Sequence, residues 1–338
     1  MQEIFLGEFI RRKRVELGLT QEALCCGICE PATISRLERG KQTPSRGIIN
    51  ALLERLDVPA DRYFALLSAN ELEVLGLQKK ITSMNVRFCN AAKEKKPTIR
   101  SEALRLHSEL EALIDPEDRL SRQLILRSRV ILGKSDGPYS PSEQHRMLLE
   151  AIRLTCPSFS LASIENGLFT TDEVKVINQL ALVHAYSEDH ESAIAILKPL
   201  YGYIRKHFRS IPPYQAHLGL IAFNYSRELE ACALHEEALR IAEEGIDMCI
   251  HNGHYASFPD LLSVAAEACH FLGNDERSLD LYYQTYYITK ALNDRPGLQY
   301  AAADIKRYFG IDLPSQISSG FGSLETGGSG SPDTAMSV

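Results

Sequence analysis

From Asn70 to about Phe309 apolar residues return at intervals of three and four, and breaks fall roughly every 15–25 residues. That interval is the repeat of one face of an α-helix, whereas a half-buried strand would need alternation at every second residue. A helix with one apolar stripe must cover it with another element, and here the only other elements are helices. The period predicts helices over 71–93, 99–114, 118–133, 141–155, 171–187, 190–208, 214–231, 235–251, 257–272, 275–292 and a short one over 297–309. Lys96-Pro97, Asp115-Pro116, Gly133 to Pro141, Pro212-Pro213, Asn252-Gly253 and Gly273-Asn274 mark the loops between them. Most of these loops are short, which favours antiparallel neighbours.

Three of the helical pairs share one plan. In 181–204, 229–250 and 266–288 a helix ends, a polar turn follows, and a small residue (Ala193, Ala238, Ser278) begins the next helix's packed face. Small residues at a crossing let two helices approach closely, and stacked pairs share a continuous core. The small residues lie 45 and 40 apart, longer than the ~34 residues of an ideal tetratricopeptide unit. The segment therefore resembles a degenerate tetratricopeptide array, with a generic helical bundle as the alternative. The expected fold class is all-α, with a right-handed helical-repeat array over 71–310.

Composition narrows the class. A chain of 338 residues with 44% hydrophobic and 24% charged residues has the balance of a soluble globular protein. No apolar run approaches the ~18 residues of a membrane span, and Met1-Gln2-Glu3-Ile4-Phe5 lacks the basic and apolar regions of a signal peptide. The expected location is the cytoplasm. Cysteines stand at 25, 26, 29, 89, 156, 232, 249 and 269, without the dense spacing of a disulfide framework. Cys26-Gly27-Ile28-Cys29 is formally C-x-x-C, but no second pair or βαβ surround is nearby, so packing inside a helical turn is the expectation.

The net charge of −7 conceals a regional split: residues 1–66 hold ten Lys or Arg against nine Asp or Glu, and the remainder 27 against 35. Four of the N-terminal positives are consecutive, Arg11-Arg12-Lys13-Arg14. Around them the segment reads as short helices. Ile4, Phe5, Phe9, Ile10 and Leu17 give 3–17 a helical face that Gly18 ends. Thr20 can cap a second helix over 21–26, Gly27 permits a sharp turn, and Cys29 stands at the cap position of a third. Pro31 falls in that helix's first turn, where its missing N–H costs nothing. Residues 30–38 bury Ile34 and Leu37 and expose Thr33, Ser35 and Arg36, and Pro44-Ser45 opens a further helix through Ile48, Ile49, Leu52 and Leu53.

Two short helices about a glycine turn, the second polar and basic on one face, are a helix-turn-helix pattern. Residues 6–57, with GLTQEALCCGICEPATISRLERGKQTPS at 18–45, resemble the Cro/lambda-repressor type, and the stretch from Gly27-Ile28-Cys29 to Thr33-Ile34-Ser35-Arg36-Leu37-Glu38-Arg39-Gly40 is similar to the Rgg/PlcR group of peptide-responsive regulators. The resemblance implies double-stranded operator DNA as a partner. Gln21 matches a residue that braces a phosphate, and Thr33, Ser35 and Arg36 project toward the major groove. A guanidinium at Arg36 can address guanine O6 and N7 together. Arg39, Lys41 and Arg46 follow where side chains reach phosphates. Glu38 and Arg14 match an internal salt bridge and are assigned to structure. Pro31 and Ala32 depart from the family pattern, which usually has polar base-contacting residues there, so discrimination rests on fewer hydrogen bonds plus a thymine methyl contact from Ala32.

In regulators so organised the resemblance implies a homodimer whose array binds a short signalling peptide in its concave groove. Helix-borne asparagines suit that task, because a carboxamide both donates and accepts. Asn178 and Asn224 lie 15 and 14 residues before Ala193 and Ala238, at nearly equivalent turns, with Tyr186, Phe223 and Tyr225 as apolar walls. Bridging between neighbouring helices is the alternative role for both asparagines. Tyr282, Tyr283, Tyr286 and Tyr287 are expected to pack on the next pair or on a dimer partner.

Catalytic patterns are lacking. There is no Walker A loop, G-x-G-x-x-G or Gly-x-Ser-x-Gly, and His235-Glu236-Glu237 fails as a zinc motif because position 239 is Leu. Cys249 with His251-Asn252-Gly253-His254 reads as a helix–helix turn rather than a metal site. Neither an enzyme nor a cofactor or metal is expected. The organisation expected is a DNA-binding domain over 1–66, a linker over 67–70, the sensor and dimerisation array over 71–310, and a disordered Ser/Gly/Thr/Pro tail over 311–338. Two other readings are a phage-type regulator whose array binds a protein partner without a peptide, and a repeat protein acting on response regulators.

Overall fold

A computed structural model describes residues 6–58, 69–133, 138–207 and 212–314. Residues 67–68 of the linker and 315–338 of the tail named above lie outside those residues, and Ala69 and Asn70 belong to the first helix of the array. Every regular element described is helical. Four short helices come first: α1 (Leu6–Glu16), α2 (Gln21–Cys25), α3 (Pro31–Glu38) and α4 (Arg46–Arg55). The array follows as α5 (Ala69–Asn90), α6 (Lys96–Leu113), α7 (Arg119–Leu132), α8 (Pro141–Thr155), α9 (Thr171–Ala185), α10 (His190–Lys206), α11 (Pro212–Ala231), α12 (His235–Asn252), α13 (Phe258–Phe271), α14 (Asp275–Ala291) and α15 (Arg295–Phe309). A 3₁₀ segment over Leu161–Asn166, between α8 and α9, was not expected from the sequence.

The chain divides into two compact units, 1–214 and 215–338. In the first, α1–α4 close around Ile10, Leu24, Ile34, Leu52 and Leu53, all fully buried. Leu120 of α7 packs against that same core. A second cluster joins Ile81 and Phe88 of α5, Ala103 and Leu110 of α6, and Ile125 and Ile131 of α7. Helix starts follow the capping chemistry of the sequence. Thr20 accepts from Ala23 N at 3.0 Å, and Ser140 and Thr170 each form a capping box with the glutamate three residues on. The third helix is capped by Glu30 rather than Cys29, without a side-chain bond, and Pro31 occupies its first turn as expected.

The repeat is visible in the turns. Each turn passes through one left-handed residue: Glu188 in the first unit, and Ala233, Gly273 and Asn293 in the second. At each, the next N–H bonds back five residues: Asp189 to His184 O, Leu234 to Leu229 O, Asn274 to Cys269 O and Asp294 to Thr289 O, at 2.8–3.0 Å. This helix-ending motif normally selects glycine, yet of these four turns only the one through Gly273 has it. Five residues beyond each left-handed position stands a fully buried packing residue, Ala193, Ala238, Ser278 or Leu298. Gly245 shows why small residues are needed in α12, since a Cβ there would lie 2.8–3.0 Å from Leu261 and Ala222 side-chain atoms.

Candidate nucleic-acid interface

The four N-terminal positives do not act as one patch. Arg14 is turned inward, with Nε donating to Glu38 Oε1 at 2.6 Å and Nη2 to Oε2 at 2.8 Å, while Nη1 donates to Leu19 O at 2.8 Å. Both partners are buried, and the bonds to Glu38 hold the guanidinium above its ordinary range. This is the Arg14–Glu38 tie expected from the resemblance. Arg12 and Lys13 lean on Glu16 at 3.8 and 2.8 Å, leaving Arg11 as the exposed cation of the cluster without an ion-pair partner among the described residues.

Gln21 belongs to the same tie, because its Nε2 donates to Glu38 Oε2 at 2.7 Å. Its amide is therefore held in place at the start of α2 and half-buried, and the second N–H of the same amide is what remains to donate to a phosphate. Sequence spacing alone could not separate these two uses of a glutamine.

The polar face of α3 is positioned by what α3 buries. Ile34 and Leu37 enter the core and Glu38 is pinned by Arg14, which fixes the rotation of the helix about its axis. Pro31, Ala32 and Arg36 are then exposed, and Thr33 and Ser35 are half-buried. Gly7 of α1 lies against the end of α3, where a Cβ would come 1.8 Å from Leu37 O, so α1 can cross there only with glycine. Arg36 has no hydrogen-bond or ion-pair partner among the described residues, which leaves its whole fork available. Arg39 is exposed, but its Nε donates to Ser35 O at 2.9 Å, so only its terminal nitrogens face outward. Lys41 is exposed on the loop and Arg46 half-buried at the start of α4, again without a partner among the described residues. The structure thus brings Thr33, Ser35, Arg36 and Arg39 together on one helix end, with Lys41 following.

Of the C-x-x-C pair, Cys26 is exposed and Cys29 partly buried. Burial pushes the Cys29 thiol up to about 12, the opposite of an activated thiolate. Among the described residues no group of three or more His, Cys, Asp and Glu gathers as metal ligands, and no helix is long and apolar enough to cross a membrane.

The residues expected to hold a peptide fall on two helices. Asn178 lies in α9 and is 7% exposed; Tyr186, just past its end, is 60% exposed and lines a cavity of about 480 Å³ with Phe88, Lys96 and Gln144. Asn224 and Tyr225, in α11, are 3% and 2% exposed, and Tyr225 OH donates to Glu237 Oε1 of α12 at 3.0 Å. Phe223 is half-buried under the Arg227 guanidinium, 5.4 Å from its ring centre. Tyr225 therefore serves the packing of α11 on α12, and of the aromatic walls proposed only Tyr186 is widely exposed. Tyr282 and Tyr286 are buried, Tyr283 is half-buried and Tyr287 is exposed.

Comparison with known proteins places the N-terminal segment first. The model of a helix-turn-helix domain family matches residues 6–63, which covers α1–α4. No curated protein sequence matches the chain. Among solved structures the chain is similar over most of its length to Bacillus thuringiensis PlcR in complex with the peptide PapR7 and DNA, at 17% identity, covering 91% of this chain and 99% of that one with a TM-score of 0.52. The apo form of the same protein aligns at 15% identity over 89% and 98%, with a TM-score of 0.54. The fold, a helix-turn-helix domain followed by a helical-repeat array, is therefore that of PlcR.

Proposed function

We propose that this chain is a cytoplasmic transcription regulator that binds operator DNA as a homodimer and changes its grip when a short signalling peptide binds the array. The observation that carries the reading is the end of α3, where Arg36 stands exposed and unpartnered while the residues behind it are fixed by the core and by the Arg14–Glu38 tie. A recognition helix needs that combination of a rigid back and a free polar front. The solved neighbour with DNA and a peptide supports the choice of both ligands. Arg36 reads a guanine, Thr33, Ser35 and Ala32 contact adjacent base edges, and Arg39, Lys41, Arg46 and Gln21 address phosphates. Two half-sites are needed because one short helix reads few bases, and a domain with little net positive charge grips phosphates weakly by itself. Asn178 and Asn224 are assigned to the peptide backbone.

Selection of bound sequences from random double-stranded DNA tests the reading. The full chain should recover a two-fold symmetric site, and Arg36→Ala should relax one position per half-site at a cost of ~1–3 kcal/mol. An Arg36→Ala protein that recovers the same site with the same affinity refutes the assignment of α3.

A further inference from the structure

One buried arginine joins the helix-turn-helix domain to the array. Arg55, the last residue of α4, is 5% exposed. Its Nη1 donates to Leu24 O at 2.9 Å and to Cys26 O at 2.7 Å, at the end of α2. Its Nη2 crosses to the array, donating to Thr155 O at 3.1 Å and to Glu173 Oε1 at 3.1 Å. Thr155 closes α8, so its carbonyl would otherwise lack a partner, and Glu173 is the capping-box residue of α9, whose Oε2 accepts from Thr170 N at 2.6 Å. A single guanidinium therefore serves the carbonyl ends of two helices and the acid at the start of a third. Each of those positions favours a cation or needs one.

The rest of the seam is built to the same fit. Glu54, next in the chain, accepts from Thr171 N at 3.2 Å and Thr171 Oγ1 at 3.1 Å. Gly27, in the turn after α2, lies so close to α8 that a Cβ would come 1.7 Å from Thr155 O. Gln123 of α7 holds Thr155 from the far side, with Nε2 bonding Thr155 Oγ1 at 2.6 Å and Ala151 O at 3.0 Å. None of these seam bonds involves α3, and Arg36 on its polar face stays exposed.

We propose that Arg55 is a positioning residue: through Glu173 and Thr155 it fixes the angle at which the helix-turn-helix domain is held on α8 and α9. If the chain binds DNA as proposed above, that angle sets which half-site separation it accepts. Two charges sealed from water cannot part without one of them being left unpaired, so the domain and α7–α9 move as one body. The array then acts on DNA by moving whole halves of the dimer, and the helix-turn-helix domain does not swing on its own.

Pulsed electron-resonance distances between labels at the exposed positions Val15 of α1 and Glu150 of α8 test the first claim without DNA. The labels are introduced as non-natural residues because the chain carries eight native thiols. The unaltered seam should give one narrow distance. Arg55→Met should lower the docked-to-open ratio by about two to three orders of magnitude and broaden or shift the distribution, with helical content by circular dichroism retained. Glu54→Ala, which removes the part-buried bonds to Thr171, should broaden it less and serves if Arg55→Met does not fold. An unchanged narrow distance in either folded variant overturns the proposal. The second claim is read by DNA selection: Arg55→Met should recover several half-site separations where the unaltered protein recovers one. Broadened distances with an unchanged separation overturn the operator claim, whereas failure of the unaltered protein to select any DNA refutes the DNA-binding reading and leaves the positioning claim standing.

Discussion

Replacing Glu38 by alanine strikes the point on which α3, the recognition helix proposed above, turns. The carboxylate takes three bonds, from Arg14 Nε at 2.6 Å, Arg14 Nη2 at 2.8 Å and Gln21 Nε2 at 2.7 Å. Both charged partners are largely sealed from water, with side-chain exposures of 11% and 2%. Glu38→Ala leaves the Arg14 cation buried with only Leu19 O to meet it, which costs ~3–5 kcal/mol for a broken buried pair. The stranded Gln21 amide adds ~1 kcal/mol. Native-state hydrogen exchange at the α3 amides reads this as faster opening, because the exposed front of α3 is steadied only from behind. The double replacement Arg14→Met with Glu38→Leu should recover most of the loss, since an apolar pair of similar volume carries no desolvation cost. The two sites are therefore strongly non-additive. A Glu38→Ala chain whose α3 exchange rises by the equivalent of less than about 1 kcal/mol would behave like a surface pair, and the tie would not be what orients α3.

Acid should weaken the first unit through His107. This imidazole is 1% exposed, its Nε2 pairs with Ser128 Oγ at 2.8 Å, and Ser128 Oγ donates to Asn85 Oδ1 at 2.6 Å, so the ring donates and Nδ1 is left buried without a partner. Burial first, and the charge of Arg129 second, push its pKa down to about 4. Between that value and the ordinary ~6.5 the unfolded chain binds more protons than the folded one, so stability is complete above ~6.5 and falls toward pH 4 by up to ~3 kcal/mol. Unfolding titrations at stepped pH should show that slope, and His107→Phe should flatten it; an unchanged slope removes His107 as the cause. For the peptide, Asn178→Ala with Asn224→Ala should lower affinity in a calorimetric titration with a peptide chosen by library selection. Both residues are buried, so a fall in melting temperature is expected as well, and full affinity in the double variant would place the peptide elsewhere.

What the sequence made legible is what short-range physics controls. The helices of the array stand within a few residues of their expected bounds, because three-and-four spacing, proline and the capping residues act within one or two turns. Ala193, Ala238 and Ser278 proved to be fully buried for the same reason, each five residues after a left-handed residue. The Arg14–Glu38 tie was legible only through resemblance, since a run of four cations gives no hint that its last member points inward. The Glu30 cap replaced the expected Cys29 because Pro31 fixes where the helix begins whatever side chain precedes it. The 3₁₀ turn over Leu161–Asn166 escaped notice because its capping serine and single buried residue, Ile164, make no period. The seam was invisible for a different reason: Arg55 and Glu173 are 118 residues apart, and each is an ordinary charged residue of its own helix until the fold removes both from water.

The most direct test of the account is the affinity of the chain, as the homodimer proposed above, for its selected operator, titrated with and without a peptide that the array has been shown to bind. The account predicts a two-half-site complex whose affinity shifts by about 5–150-fold with the peptide, the usual range of coupling between two sites. Equal affinity in the presence and absence of saturating peptide would contradict it.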